Sequence, residues 1–92
     1  MAWNYAANYN GSNGTSHTMF VMVTSSAQSG CSTNDYGAYV YVNGAMVAQN
    51  IDFNSNYAKS KTVTVPVPPG GSYSVVSYRY VCNVMHNIFE YR

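Results

Sequence analysis

The residues of this chain that could do chemistry are few and scattered. Its carboxylates are Asp35, Asp52 and Glu90, in 92 residues and without paired spacing. General acid–base work by a carboxylate dyad therefore has nothing to build on. Cys31 or Cys82 with His17 or His86 would supply the residue types of a thiol nucleophile and its base. Neither cysteine sits in a motif that marks such a nucleophile. The two histidines stand far apart, and no CxxC or HxxxH spacing offers zinc a site. Only a symmetric oligomer that gathered copies of His17 or His86 on its axis would make a metal site without a motif. The expectation is a protein with no catalytic residue, no metal and no cofactor.

The compositional anomaly lies elsewhere, in ten tyrosines. A tyrosine buries a large apolar ring while its hydroxyl stays wet or hydrogen-bonded, which suits interfaces and sugar-binding surfaces. The same rings also staple neighbouring strands to each other. Both readings stay open at this level, and contact between subunits would satisfy both.

Bulk properties narrow the choice. The length suits one domain near the small end of the usual range. Hydrophobic residues make up 47% of the chain but charged residues only 8%, against about 25% in a typical soluble protein. Its surface must then be rich in hydroxyls and amides. With net charge +1 and Lys59, Lys61, Arg79 and Arg92 as the fixed cations, no basic stripe exists to neutralise phosphates, which argues against nucleic acid. No apolar run approaches the roughly 20 residues of a membrane helix, so no membrane insertion is expected. Met1-Ala2-Trp3-Asn4 lacks the basic start and apolar run of a secretory signal. A chain made without a signal meets a reducing compartment first, so Cys31 and Cys82 are expected as thiols.

The elements that position these residues are all extended. Gly37–Ile51, GAYVYVNGAMVAQNI, organises the rest: two β-friendly runs flank Asn43-Gly44, the pair that a type I′ hairpin turn selects. That turn predicts Val42 opposite Ala45 and Val40 opposite Val47. Ala38 then shares their face, and Tyr39, Tyr41, Met46 and Ala48 share the other. Before the hairpin, Trp3–Tyr9 is a weak but ring-rich strand. Asn10–Ser16 is a loop and Thr18–Thr24 a continuous apolar strand, with Met19, Val21 and Val23 on one face and Phe20 and Met22 on the other, the pattern of a buried strand. The stretch from Ser25 to Asp35 is the longest without regular pattern. After the hairpin, Lys61–Val67 alternates with its valines inward, and Pro66 marks it as an edge strand. Pro68-Pro69-Gly70-Gly71 makes a turn into Ser72–Tyr80, and Val84–Tyr91 ends the chain. With no heptad, helical window or internal repeat, the fold class is all-β. The best architecture is a small antiparallel β-sandwich of about six or seven strands. Residues 1–17 would form a polar and aromatic N-terminal segment and 18–92 the sandwich.

The order of these features resembles the small C-terminal domain that ends many tail-fibre proteins of bacteriophages and prophages. The points of likeness are the apolar strand Met19-Phe20-Val21-Met22-Val23-Thr24 and the hairpin Tyr41-Val42-Asn43-Gly44-Ala45-Met46-Val47-Ala48. The turn and strand Val67-Pro68-Pro69-Gly70-Gly71-Ser72-Tyr73-Ser74-Val75 add to it. So does the ending Ile88-Phe89-Glu90-Tyr91-Arg92, which looks like that family's aromatic-x-Glu-aliphatic-Arg tail, with Phe89 and Tyr91 as departures. The likeness spans most of Thr18–Arg92. A further departure is that the chain starts at Met1 without a shaft.

The resemblance implies a homotrimeric virion component at the distal end of a fibre. Its partners would be a parent tail fibre or shaft and a host surface glycan or outer-membrane protein. Asn10, Asn13, Ser29, Asn34, Asp35 and Tyr36, in the polar loops, are then the candidates for receptor contact. Tyr39, Tyr41, Met46, Phe89 and Tyr91 are the candidates for contacts between subunits. Two other readings compete with the receptor-binding tip. One is a trimerisation cap or assembly chaperone of the fibre; the other is an adhesin or lectin module of a bacterial pilus tip.

Overall fold

The computed structural model describes residues 1–27, 36–50, 60–79 and 84–92, without the side chains of Ala27, Tyr36, Ser60 and Arg79. Eight strands are present: β1 (Trp3–Ala6), β2 (Asn10–Ser12), β3 (Met19–Ala27), β4 (Tyr36–Val42), β5 (Ala45–Gln49), β6 (Ser60–Val67), β7 (Ser72–Arg79) and β8 (Val84–Tyr91). They form two antiparallel four-stranded sheets. Sheet A runs β1-β8-β3-β6 and sheet B runs β2-β7-β4-β5. The protein is an all-β sandwich, as the alternation from Thr18 onward predicts. No helix occurs among the described residues.

The core between the sheets is mostly aliphatic. Met19, Val21 and Val23 of β3, Val65 and Val67 of β6, and Ile88 of β8 face Ala38 and Val40 of β4 and Tyr73 and Val75 of β7. On β6 the valines turn inward while Thr62 and Thr64 stay exposed, so the period of two is obeyed. Among the described residues this strand pairs only with β3 and so forms an edge of sheet A, where Pro66 leaves no donor missing from a central ladder.

Three expectations need correction. First, the stretch Trp3–Tyr9 is not one strand and Asn10–Ser16 is not wholly a loop. The chain crosses between the sheets after Ala6, so β1 becomes an edge of sheet A and β2 an edge of sheet B. Second, β3 is buried on one face only: Met19, Val21 and Val23 are inaccessible while Phe20 is 40% exposed. Its continuous apolar run reflects two different surfaces. Third, Val40 faces Ala48 and not Val47. A bulge shifts the register after Tyr41–Met46 and places Val47 as the additional residue of β5. Ala48 thereby packs toward the core, and Met46 and Val47 are both exposed.

The hairpin turn itself is as expected. Asn43 (φ 52°) and Gly44 (φ 84°) both occupy the left-handed region that a type I′ turn requires. Asn43 does a second job there. Its Oδ1 accepts a hydrogen bond from the Ser72 amide at 3.0 Å, and its own amide donates to the Ser72 carbonyl at 2.8 Å. The β4–β5 turn is thus tied to the chain entering β7.

Candidate functional site

Sheet A presents to solvent a continuous band of large rings. The register puts Trp3, Tyr91, Phe20 and Pro66 in one row across the four strands. The next row is Tyr5, Phe89, Met22 and Thr64. Trp3 and Tyr91 lie 5.0 Å apart between ring centroids at 45°, and Tyr5 and Phe89 lie 5.6 Å apart nearly edge to face. Both pairs are direct cross-strand partners, so these rings do staple β1 to β8. They also remain available: Trp3 is 47% and Tyr5 63% exposed.

The outer face of sheet B carries a second, smaller cluster. Tyr39 and Tyr78 meet edge to face at 6.0 Å, Tyr41 is half-buried, and Val76 is exposed. Among the described tyrosines only Tyr73 belongs to the core. Stapling and surface presentation are therefore combined in the same rings.

Between the sheets, polar groups form a chain of hydrogen bonds. Asn50 accepts from the Ala38 amide at 2.7 Å and donates to Ser25 Oγ at 2.9 Å and to the Lys61 carbonyl at 3.2 Å. Ser25 Oγ lies 2.7 Å from His86 Nδ1, and His86 Nε2 lies 2.7 Å from Ser77 Oγ. Burial lowers the His86 pKa below the ordinary imidazole value, because charging the ring there forfeits hydration. The Tyr9 ring closes over this imidazole at 5.6 Å. A histidine flanked by serines has the residue types of a nucleophile–base pair. In this structure its ring links the two sheets, from Ser25 of sheet A to Ser77 of sheet B.

At the other end of the sandwich Tyr73 donates to Glu90 Oε2 at 2.5 Å, and Arg92 Nε donates to Glu90 Oε1 at 2.9 Å. Burial first, then the hydrogen bond to Glu90, raises the Tyr73 pKa well above the phenol value. Gly11 of β2 closes over this pair. A Cβ there would meet Glu90 Oε2 at 2.8 Å and Tyr73 Oη at 2.9 Å, so no side chain fits without disrupting the link. Among the described residues no group of three or more His, Cys, Asp or Glu could hold a metal, and no helix is long and apolar enough to cross a membrane.

Of the candidate receptor residues, Asn10 and Asn13 are described with their side chains and Tyr36 by its backbone. Asn13 is 1% exposed and its side chain is fully engaged. It donates to the carbonyls of His17 (2.8 Å) and Val67 (3.0 Å) and accepts from the Thr15 amide (2.9 Å) and hydroxyl (2.6 Å). Its backbone also exchanges bonds with Gly70 and Gly71. Asn13 is a structural clip, and its candidacy as a receptor contact is withdrawn: a sequence window rich in Asn, Gly and Ser reads as a polar loop whether its amides face in or out. Asn10 is exposed on β2, where it pairs with Ser74. Tyr36 opens β4 opposite Arg79. Ser29, Asn34 and Asp35 lie outside the described residues, as do Cys31 and Cys82.

The candidate interface residues divide between two surfaces. Tyr39 and Tyr41 lie on sheet B, with Met46 exposed on its edge strand, whereas Phe89 and Tyr91 lie on sheet A. Trp3, Tyr5 and Phe20 complete the band on sheet A, and sequence reasoning missed them as a site. The signal was present in part, since Trp3 and Tyr5 alternate and Phe20 faces away from Met19 and Val21. Which strands neighbour one another was the missing information.

No family model, curated protein or solved structure matches this chain. What fold and surface define is a class: a small all-β sandwich with ring-rich outer faces.

Proposed function

We propose that this chain is a non-enzymatic recognition module that ends a bacteriophage tail fibre and contacts the host surface as part of the virion. The observation that carries the reading is the band of exposed aromatic rings on the outer face of sheet A, with half-buried tyrosines on that of sheet B, in a nearly uncharged sandwich. A small monomer rarely leaves contiguous apolar surface beyond a few hundred Å² without using it. The order of strand, Asn-Gly hairpin, Pro-Pro-Gly turn and Glu-containing tail supports the fibre assignment by resemblance.

The assembly we propose is a homotrimer. Seen from one subunit of a closed threefold ring, its two neighbours lie only about 60° apart, and opposite faces used in succession would instead give an open filament. Tyr39 and Tyr41 therefore cannot all serve the same closed ring together with Phe89 and Tyr91. The reading places sheet B, with Tyr39, Tyr41 and Met46, against neighbouring subunits and leaves sheet A outward for the host. Fluorescently labelled protein applied to a panel of bacterial strains tests the function. Saturable binding to some strains and not others is the expected result, and uniform failure to bind would remove it.

A further inference from the structure

We propose that the outer face of sheet A is a platform for a neutral glycan chain, which lies flat across the rings of β1, β8 and β3. This deepens the host-surface reading and rests on it, by naming the site and the ligand class. The first observation is geometric. Two successive rows of rings are fixed by register, and their cross-strand ring pairs hold one another in place before any ligand arrives. Strand spacing and rise make the three rows of this face roughly 14 Å in each direction. No pocket among the described residues opens here, so the surface suits an extended chain and not a small enclosed molecule.

The second observation is chemical. The third row across the same face is Asn87, Thr24 and Thr62, so the rings border directly on hydroxyl and amide groups. Thr24 and Thr62 lie 3.2 Å apart between hydroxyl oxygens and are exposed to partners beyond each other. The Asn87 carboxamide makes no hydrogen bond among the described residues. A pyranose ring offers an apolar C–H face for stacking and equatorial hydroxyls for such groups, the pairing of apolar body and polar edge that aromatic platforms accept.

The third observation decides between ligands. None of the outward positions of these four strands carries a charged side chain; Lys61 and Glu90 lie on the inward side of their strands. An acidic polysaccharide would find a cation only at the end of the β1–β8 ladder, where Arg92 already pairs with Glu90. A protein partner would find no charged rim of the kind that fixes orientation and excludes competitors. A neutral glycan needs neither.

The chain's single tryptophan lies in the platform, so its fluorescence reports directly. The purified protein is titrated with neutral hexasaccharides of gluco, N-acetylgluco, galacto and manno configuration, to about 1 mM. At least one should give a saturable change in Trp3 emission. Calorimetry should then show the affinity falling at least tenfold in Trp3→Ala and in Tyr5→Ala, with substantial recovery in Trp3→Phe. Each variant's circular dichroism spectrum is compared with that of the parent, and both substituted side chains are exposed enough to leave the core intact. No saturable response from any hexasaccharide overturns the platform, and the cell-binding assay then judges the host-surface reading by itself. Binding that survives Trp3→Ala and Tyr5→Ala also overturns it, because the sugar must sit elsewhere. A loss of oligomer mass in Trp3→Ala does the same by making this face a subunit contact.

Discussion

Replacing Asn13 by Asp keeps the shape of the side chain but exchanges its amide donor for an oxygen facing the carbonyls of His17 and Val67. Those two acceptors would lose their donor inside the protein, and a buried unpaired polar group costs about 1–3 kcal/mol. Asn13→Asp should therefore lower the unfolding free energy by roughly 2 kcal/mol or more, read by urea denaturation. A loss of cell binding with unchanged stability would return Asn13 to the receptor candidates. His86 gives a pH-dependent test. Its folded pKa is lowered, so the unfolded chain binds the proton more readily. Stability should be complete above about pH 6.5 and fall as the pH drops from there toward the folded value. The groups facing its ring are Ser25, Ser77 and Tyr9, with Lys61 beyond Ser25 in the same row. Melting temperatures measured between pH 8 and pH 5 should decline, and the decline should flatten in His86→Gln. Neither residue's role was legible in the sequence, because burial of a polar side chain depends on which strands meet above it.

At the level of elements the sequence was far more informative. Asn43-Gly44 specified a turn whose two positive φ angles are both present, since few residue pairs tolerate that geometry. The Cβ position at Gly44 is open, with no atom within 4 Å. The cost of Gly44→Val is then purely conformational, and a β-branched residue at this φ should destabilise the domain by more than about 1 kcal/mol. An unchanged thermal midpoint would mean that the hairpin adjusts freely. Pro66 likewise declared an edge strand, and alternation sorted the valines of β6 from its threonines. The bulge at Val47 was not legible. Either register satisfied the turn, and the structure takes the one that brings Ala48 inward opposite Val40. The division of residues 3–12 between two sheets was hidden for a related reason: strands of four and three residues are too short to show a period.

For the whole molecule, composition and strand pattern led to the sandwich, whereas its surface organisation needed the topology. Tyr41 and Phe89 sit on opposite faces, so the proposed trimer separates them. Light scattering at micromolar concentration should give a mass near three times 10.1 kDa. Tyr41→Ala should shift that mass toward monomer, and Phe89→Ala should leave it in place. A clean monomer for the unmodified chain would remove the trimer and weaken the fibre assignment with it.

The backbone of Ala2 exchanges two hydrogen bonds with that of Arg92, at 3.1 and 3.2 Å, so the two ends of the chain lie side by side on adjoining strands. Tension applied across them meets the β1–β8 ladder end-on. Its bonds then break one after another, as a zipper opens, and never bear load together as they would in shear. A tether gripping both termini should therefore peel β1 away at low force, before the remaining sheet yields. Anchored by one end alone, the same domain carries no tension through that seam, and β1 keeps Trp3 and Tyr5 in register on the outer face.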